Sequence, residues 1–351
     1  MSFNDNAPAS PFFIVSLDFE LHWGVRDVKT VAQYHKNLLG VRVVVPALLA
    51  TFAGYGIHAT WATVGFLFYD NRADLLASLP ELRPHYDNVR LSPYLDLKLL
   101  GRNEDEDPFH FGRSLINQIR SCPGQEIASH TYSHYYCLEP QQNTAAFRAD
   151  LKAMLAAAAK VGLKLNSIVF PKNQYDLNHL NVCRQLRFRA FRGNQSCRLY
   201  DPRSTTRETR WLRMIRFADS YWNLSSHNCY SLAEAGREPP LNLRASRFLR
   251  PYIRNMPMLQ GLQERRVVAG MTHAAEHGLV YHLWWHPHNF GVDLEQNMDS
   301  LRRILDHFQV MHERFGMKSI NMAELASLIL DSPELSQDHC EAKDRFARQT
   351  K

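Results

Sequence analysis

The chain has 351 residues, and its 45% hydrophobic and 22% charged residues are ordinary values for a globular protein with a large core. Its formal net charge of +6 is mildly basic and fits an anionic partner, such as a membrane surface or a nucleic acid. Lysine and arginine are spread along the whole sequence, however, and no basic run forms a nucleic-acid tail. We therefore predict that the protein does not bind nucleic acid.

Cysteine usage and the N-terminal residues indicate the compartment. Six cysteines occur without a Cys-x-x-Cys pair, which argues against a zinc ribbon or a disulfide framework, and we interpret them as reduced thiols. The N-terminus has no basic region, and the apolar run 12–17 is too short for a signal peptide. No stretch approaches the roughly 20 apolar residues that span a bilayer. We expect a cytoplasmic protein without a transmembrane segment, and peripheral contact with the inner face of the membrane stays open.

Strand-like and helix-like segments alternate along the chain. Strands are predicted at residues 12–17, 58–64, 126–130, 166–170, 188–192 and 279–285, and helices at 41–55, 109–121, 141–161, 177–186, 257–277, 294–315 and 321–330. Such alternation predicts an α/β fold with a parallel sheet and helices outside it. With about seven strand–helix units, a closed or nearly closed barrel is favoured over an open sheet.

The same reading divides the chain into three kinds of segment. Residues 10–332 are expected to form a single domain. Within it, an insertion at about 82–108 carries the acidic cluster 104–107, and an irregular segment at about 193–256 shows little periodicity. Residues 333–351 are predicted to be a charged, flexible tail.

Chemically capable residues fall at the predicted carboxyl ends of four strands. Asp18 ends the first strand, His130 the third, Pro171 the fourth and His286 the last. In parallel α/β barrels this end of the sheet carries the active site. We therefore expect these four positions to meet at one site.

Two histidines and two carboxylates in this set suit a metal-dependent hydrolase. His130 and His134 are one helical turn apart, so both imidazoles can face one side and bind a divalent metal. Asp18 and Glu20 point to the same face of an extended segment. Such an enzyme needs one carboxylate as metal ligand and one as proton acceptor. The alternative is that the histidines are ordinary polar residues and that the carboxylates cap a turn or pair with arginine.

Proton donation and oxyanion stabilisation are assigned to the two remaining strand ends. Either His286 or His288 is positioned to protonate a leaving group after the last strand. Backbone amides after Pro171, at Lys172 and Asn173, can form an oxyanion hole, and both side chains can contact substrate. The alternative readings are a histidine bonded within a turn and a plain strand-to-helix turn.

At these residues the chain resembles the polysaccharide deacetylase family, the NodB-homology hydrolases of carbohydrate esterase family 4. The resemblance is carried, in the family's order over residues 12–290, by Ser16-Leu-Asp-Phe-Glu20, His130-Thr-Tyr-Ser-His134, Phe170-Pro171 and Leu283-x-x-His286. It implies a distorted (β/α)7 barrel. It also implies that Asp18 is the catalytic base, that His130 and His134 bind zinc or a similar metal, and that His286 is the general acid.

The chain departs from the family pattern at two of these motifs. Many members have a second aspartate where Phe19 stands, so Glu20 or water would be the third metal ligand. Val169 stands where an arginine is usual, and Lys172 or Arg192 would supply the missing positive charge.

Other positions complete the expected site. Asp219 and Trp222 are candidates for the pair that orients the acid histidine in the family. Trp23, Tyr135 and Trp285 are expected to be exposed aromatic residues that stack on sugar rings.

The resemblance implies a metal-dependent N-deacetylase acting on an N-acetylated sugar in cell-surface polysaccharide or lipopolysaccharide biosynthesis. The cofactor would be a divalent metal, Zn²⁺ first, with Co²⁺, Ni²⁺, Mn²⁺ or Fe²⁺ as alternatives. A nucleotide-sugar or a lipid-linked glycan fits as the form of the substrate. Two alternatives stay open: an allantoinase-like or deformylase-like amidohydrolase on the same fold, and a non-catalytic glycan-binding pseudoenzyme.

Overall fold

The computed structural model describes residues 10–95 and 97–331, so the predicted tail at 333–351 lies outside the described residues. The strands are β1 (Phe12–Phe19), β2 (Ala59–Thr63), β3 (Gln125–Ser129), β4 (Ser167–Val169), β5 (Ala190–Arg192), β6 (Leu241–Asn242), β7 (Arg247–Phe248), β8 (Val280–Trp285) and β9 (Lys318–Ser319). The α-helices are α1 (Val31–Tyr55), α2 (Arg72–Ala77), α3 (Arg113–Ser121), α4 (Thr144–Lys160), α5 (Leu177–Gln185), α6 (Arg210–Asp219), α7 (Met258–Glu276), α8 (Leu294–Phe315) and α9 (Met322–Asp331).

The sheet is a curled parallel sheet in the order β6-β5-β4-β3-β2-β1-β8-β7, with β9 pairing the start of β1. One extended segment, residues 241–249, bonds to β5 through its first half and to β8 through its second half. The backbone N–H of Leu243 donates to Phe191 O, and that of Leu249 donates to Trp284 O. This segment joins the two sides of the curled sheet, which confirms the predicted distorted (β/α)7 barrel.

The polar residues of β1 are buried, because this strand lies at the centre of the sheet. Every residue of β1 is buried, as expected for a parallel strand covered on both faces. β1 lies between β2 and β8 and pairs with each over five or six residues. Ionisable side chains at the carboxyl end of such a strand must find partners within the barrel, because an unpaired buried charge is costly.

Helix α1 begins ten residues earlier than the sequence indicates. Thr30 forms a capping box with Gln33, and the helix is followed by Gly56, which has a left-handed φ of 63°. The helix ends at Tyr55, as the predicted range 41–55 has it. By length and hydropathy α1 is the one helix in the described ranges that would qualify as a bilayer span. Seven of its apolar residues, however, are buried in the barrel core, while Leu39 and Val43 are exposed.

The segment 193–256 is more regular than its sequence indicates. It contains α6 as well as β6 and β7, which join the two sides of the barrel. Each of these two strands has only two residues, too few to show a period-2 pattern. Closure of the barrel could therefore not be recognised from hydrophobic periodicity.

The insertion at 82–108 contains two short 3-10 turns, Val89–Leu91 and Leu97–Leu99. Three residues of the acidic cluster form ion pairs, Glu104 with Arg42, Glu106 with Arg102, and Asp107 with His110. These pairs help to hold the insertion in place. The five cysteines of the described ranges form no disulfide.

Candidate active site

The Glu20 carboxylate lies at the centre of a group of histidines. Its Oε2 is 3.2 Å from His130 Nε2 and 3.1 Å from His134 Nε2, and its Oε1 is 3.0 Å from His288 Nε2. Gly24 leaves the space for this carboxylate, since a Cβ at residue 24 would overlap it. Although burial opposes ionisation, the histidines hold the pKa of Glu20 well below its ordinary value. Glu20 therefore sits in the site as an anion.

The loop that carries the two histidines is not helical, contrary to the expectation of one helical turn. Thr131 and His134 adopt left-handed backbone conformations with φ of 61° and 58°. His130 Nδ1 lies 2.9 Å from Val169 O, so the ring could donate its Nδ1 proton to this carbonyl when Nε2 binds a metal. Both Nε2 atoms still converge on Glu20, so the expected common side is reached by a different backbone path.

A buried carboxylate on α4 fixes this loop. Asp150 accepts hydrogen bonds from the backbone N–H of Tyr132 at 2.7 Å and from the N–H and hydroxyl of Ser133 at 3.1 and 2.5 Å. Burial raises the pKa of Asp150 to about 7, while these three donors favour the carboxylate. The sequence contains its signal: Asp150 falls on the apolar stripe of the helix, between Phe147 and Leu151, where a carboxylate needs a reason to be buried.

Replacing Asp150 by alanine is expected to leave the backbone donors of Tyr132 and Ser133 unsatisfied. The expected cost is about 2–4 kcal/mol of unfolding free energy together with a loss of metal affinity of about 10–100-fold. Urea unfolding and metal titration measure the two effects. Asp306→Ala is a matched control, because its hydrogen bond with the Tyr55 hydroxyl lies at an exposed position. A variant with normal metal affinity would show that the loop does not depend on Asp150.

Asp18 is held by a fully buried arginine. Arg192 Nη1 and Nη2 donate to the two carboxylate oxygens of Asp18 at 2.7 and 2.8 Å, and Nη1 also donates to Ser16 Oγ at 3.1 Å. Against the effect of burial, this guanidinium holds the pKa of Asp18 below its usual value. Of the two proposed sources of the missing positive charge, Arg192 is the one that contacts Asp18. It comes from β5, one strand after Val169.

His286 faces both carboxylates. Its Nε2 is 3.7 Å from Asp18 Oδ2 and 3.6 Å from Glu20 Oε1. Burial lowers the pKa of His286, and the two carboxylates oppose that shift. The ring also packs near Trp284, which stacks on the Arg192 guanidinium at 4.1 Å. His286 is thus placed between the carboxylate pair and an accessible face of the site.

His288 lies in a group with Glu20 and His286 whose ligand atoms could hold a metal ion. Its Nε2 contacts Glu20, and its Nδ1 lies 3.0 Å from the hydroxyl of Tyr34. Sequence reasoning gave it a role in acid catalysis or substrate contact and missed its proximity to Glu20. Tyr34, on α1, carried no signal in the sequence at all.

The donor set suits a divalent metal. Glu20 with His130 and His134, and Glu20 with His286 and His288, each offer ligand atoms within 4.8 Å of one another. Burial lowers the pKa of His134 to about 4, so this ring is neutral, the form that binds metal. Two imidazoles and a carboxylate are ligands that zinc and its neighbours accept.

The turn after β4 departs from the predicted oxyanion hole. Lys172 and Asn173 have left-handed φ values of 51° and 53° after the buried Pro171. The Asn173 N–H already donates to Phe170 O at 2.9 Å, so this amide does not point at a substrate. Its Oδ1 instead accepts from Arg192 at 3.3 Å. Lys172 pairs with Asp27 at the side of the site.

Two further expectations were wrong. The side chains of Trp23, Tyr135 and Trp285 are at most 3% exposed, so they do not form exposed stacking platforms. Trp23 instead donates its Nε1–H to His110 O within the core. Asp219 pairs with Arg247 at 2.6 Å and Trp222 is exposed, so in the structure neither contacts His286.

Solved structures of similar fold were found for this chain. A putative polysaccharide deacetylase from Mycobacterium smegmatis has a TM-score of 0.57 at 14% identity, covering 93% of this chain and 95% of that one. The allantoinase Puue has a TM-score of 0.52 at 11% identity, covering 92% and 93%. A probable polysaccharide deacetylase from Pseudomonas aeruginosa PAO1 has a TM-score of 0.51 at 12% identity, covering 90% and 88%. No family model and no curated protein sequence matches the chain. At these identities the likeness establishes the fold.

Proposed function

We propose that the chain is a metal-dependent hydrolase of the polysaccharide deacetylase kind, which removes the acetyl group from the amide nitrogen of an N-acetylated sugar. The observation that supports this most is the meeting of Asp18, Glu20 and His286 with the two histidines of residues 130–134. The barrel fold, shared with proteins described as polysaccharide deacetylases, agrees with the same assignment.

In this proposal Asp18 is the general base and His286 the general acid. Asp18 accepts a proton from a water molecule, whose oxygen attacks the carbonyl carbon of the acetamido group. Protonated His286 then gives its proton to the amide nitrogen as the carbon–nitrogen bond breaks, which releases acetate and a free amine. Arg192 orients Asp18 through two parallel hydrogen bonds.

The metal would be held by Glu20, His130 and His134, with His288 close enough to Glu20 to join them. When bound, a divalent metal polarises the amide carbonyl and lowers the pKa of a water molecule. Zinc is the metal we propose. His130 Nδ1, anchored on Val169 O, keeps the opposite nitrogen available as a ligand.

For the biological setting we propose the biosynthesis of cell-surface polysaccharide or lipopolysaccharide in the cytoplasm. A nucleotide-sugar or a lipid-linked glycan would be the form of the substrate. The net charge of +6 supports an anionic carrier of the sugar.

The Asp18→Asn variant tests this function. We expect it to lower kcat by about 10²–10⁴-fold, because the amide cannot accept the proton. Acetate release from N-acetylated sugars, followed by mass spectrometry of the sugar, measures the change, with metal content checked in the same samples. Asp299→Asn, which alters an exposed pair with Arg302, is the control. Unchanged turnover in Asp18→Asn would remove Asp18 from the role of base.

A second set of substrates tests the alternative of an allantoinase-like or deformylase-like amidohydrolase. Allantoin and an N-formylated sugar are offered to the same wild-type protein under the same conditions. Preferential hydrolysis of either compound over N-acetylated sugars would replace the deacetylase assignment. Turnover of none of them with a loaded metal site would favour the non-catalytic alternative.

A further inference from the structure

A basic cavity of about 210 Å³ adjoins His286. His286, Trp284 and Phe248 lie at one side of it, and α6 and the residues before it form the other side. Its charged lining residues are Lys172, Arg203, Arg216, Arg247 and Arg250, together with the carboxylates of Asp201 and Glu208. Positive charge therefore exceeds negative charge in the wall of the cavity.

Four of the five lining cations pair with carboxylates, and two of those carboxylates, Asp27 and Asp219, lie outside the lining. The paired cations are Lys172 with Asp27, Arg203 with Asp201 at 3.8 Å, Arg216 with Glu208 at 3.0 Å, and Arg247 with Asp219 at 2.6 Å. Among residues 10–95 and 97–331, no carboxylate lies within 4.0 Å of the Arg250 guanidinium. The cavity thus contains one guanidinium whose charge the described protein does not neutralise.

Arg250 is held in place although it has no counter-ion. Its Nε–H donates to Ser220 Oγ at 2.7 Å, and its guanidinium carbon lies 5.0 Å from the Phe217 ring centroid and 5.6 Å from that of Phe248. Its two terminal nitrogens make no hydrogen bond to the described residues. Two aromatic faces and one hydroxyl therefore orient the fork of donors and leave its outer edge available.

Arg250 lies near His286, on the other side of the Phe248 ring. Phe248 lies between the two residues: its ring centroid is 5.7 Å from that of His286 and 5.6 Å from the Arg250 guanidinium carbon. The Trp284 ring packs on Phe248 with centroids 4.6 Å apart. A molecule whose amide lies at His286 would extend over these aromatic rings toward Arg250.

We propose that this cavity is a subsite for an anionic substituent of the substrate, a phosphate or a carboxylate on the sugar, with Arg250 as its charge partner. This inference rests on the proposed function for the identity of the sugar. A guanidinium fork matches phosphate and carboxylate oxygens through two parallel hydrogen bonds. The partly desolvated setting strengthens that attraction relative to an exposed arginine.

The size of the cavity limits what it takes. At about 210 Å³ it lies below the roughly 300–1,000 Å³ typical of sites that enclose a drug-sized ligand. It therefore takes one charged group next to one sugar ring, while the remainder of a nucleotide or a lipid chain would lie outside it.

Binding measurements on the metal-free protein test the subsite without requiring catalysis. Titration calorimetry compares N-acetylglucosamine with its 1-phosphate, its uridine diphosphate ester and the corresponding uronic acid. We expect at least one anionic compound to bind about 10–100-fold more tightly than the neutral sugar. The ratio among the anionic compounds identifies the source of the charge, and inorganic phosphate should compete with the tightest of them.

Three variants assign the effect to Arg250. Arg250→Met keeps the apolar stem on Phe217 and Phe248 and should remove most of the difference between charged and neutral sugars, while Arg250→Lys should keep part of it. Arg302→Met, at an exposed pair, is the control for net charge and should bind as the wild type does. Thermal unfolding verifies that each variant is folded.

The inference is overturned if neutral and anionic sugars bind equally to the wild type, or if folded Arg250→Met keeps the full preference for the anion. Failure of the proposed function gives a different result. In that case the anionic sugars would still bind in an Arg250-dependent manner, and acetate would not be released by the metal-loaded protein.

Discussion

Replacing Glu20 by glutamine is expected to lower the affinity for a divalent metal by at least about 100-fold and to abolish most of the amide hydrolysis. Glu20 is the residue on which the histidines converge, with His130, His134 and His288 within 3.2 Å of its oxygens. Glutamine has nearly the same shape but no negative charge. It would also direct an NH₂ group at ring nitrogens that must act as ligands.

Metal content after dialysis against zinc, measured by mass spectrometry, gives the occupancy, and competition with a chromogenic chelator gives the affinity. Glu238→Gln is the matched control, because the Glu238 side chain is 81% exposed and pairs with Arg184, not with a histidine of the site. We expect this control to bind metal and to hydrolyse substrate as the wild type does.

The same variant separates two roles that Glu20 can have. Loss of metal together with activity supports Glu20 as a metal ligand. Full retention of metal with loss of activity would contradict that role and would make Glu20, and not Asp18, the candidate base. Glu20 and Asp18 both lie within 4 Å of His286, so distance alone does not distinguish them as proton acceptors.

The residues of the site could be predicted from the sequence, but several of their contacts could not. Asp18, Glu20 and His286 follow from a simple rule, since polar residues at the carboxyl ends of buried parallel strands must meet at one end of the barrel. The backbone path of residues 130–134 did not follow, because two left-handed residues replace the helical turn that a spacing of four suggests. The contact of Tyr34 with His288 depends on helix packing across the barrel end, which local sequence does not encode. Asp150 did carry a signal, as a carboxylate on the apolar stripe of α4, but that signal does not identify the backbone N–H groups it binds.

The fold, too, has parts that the sequence predicts and parts that it does not. The long, apolar β1 and β8 and the alanine-rich α4 carry strong periodic signals and were predicted within a few residues. Closure of the barrel through residues 241–249 was not predicted. These residues pair with β5 and β8, which are distant in sequence, so local sequence carries no signal for the pairing. The sequence left two candidates for the residue that supplies the positive charge beside Asp18, Lys172 and Arg192. Both lie at the carboxyl end of a strand or in the turn that follows it.

Arg192→Met is expected to destabilise the protein by about 3–5 kcal/mol, because it leaves the Asp18 carboxylate buried without its partner. The side chains of this pair are 0% and 5% exposed, so water cannot replace the lost hydrogen bonds without opening the core. Urea unfolding of the metal-free protein measures the change. Arg189→Met is the matched control: it precedes β5, pairs with an exposed Asp331, and should cost less than about 1 kcal/mol.

A double-mutant cycle separates the charge pair from simple packing. In the Asp18→Asn background the buried negative charge is absent, so adding Arg192→Met should cost less there than in the wild type by about 1–3 kcal/mol. Equal costs in both backgrounds would mean that Arg192 acts through its packing on Trp284 and its bond to Ser16. A positive coupling energy instead ties the arginine of β5 to the carboxylate of β1. Arg192 would then be the source of the positive charge expected beside Asp18.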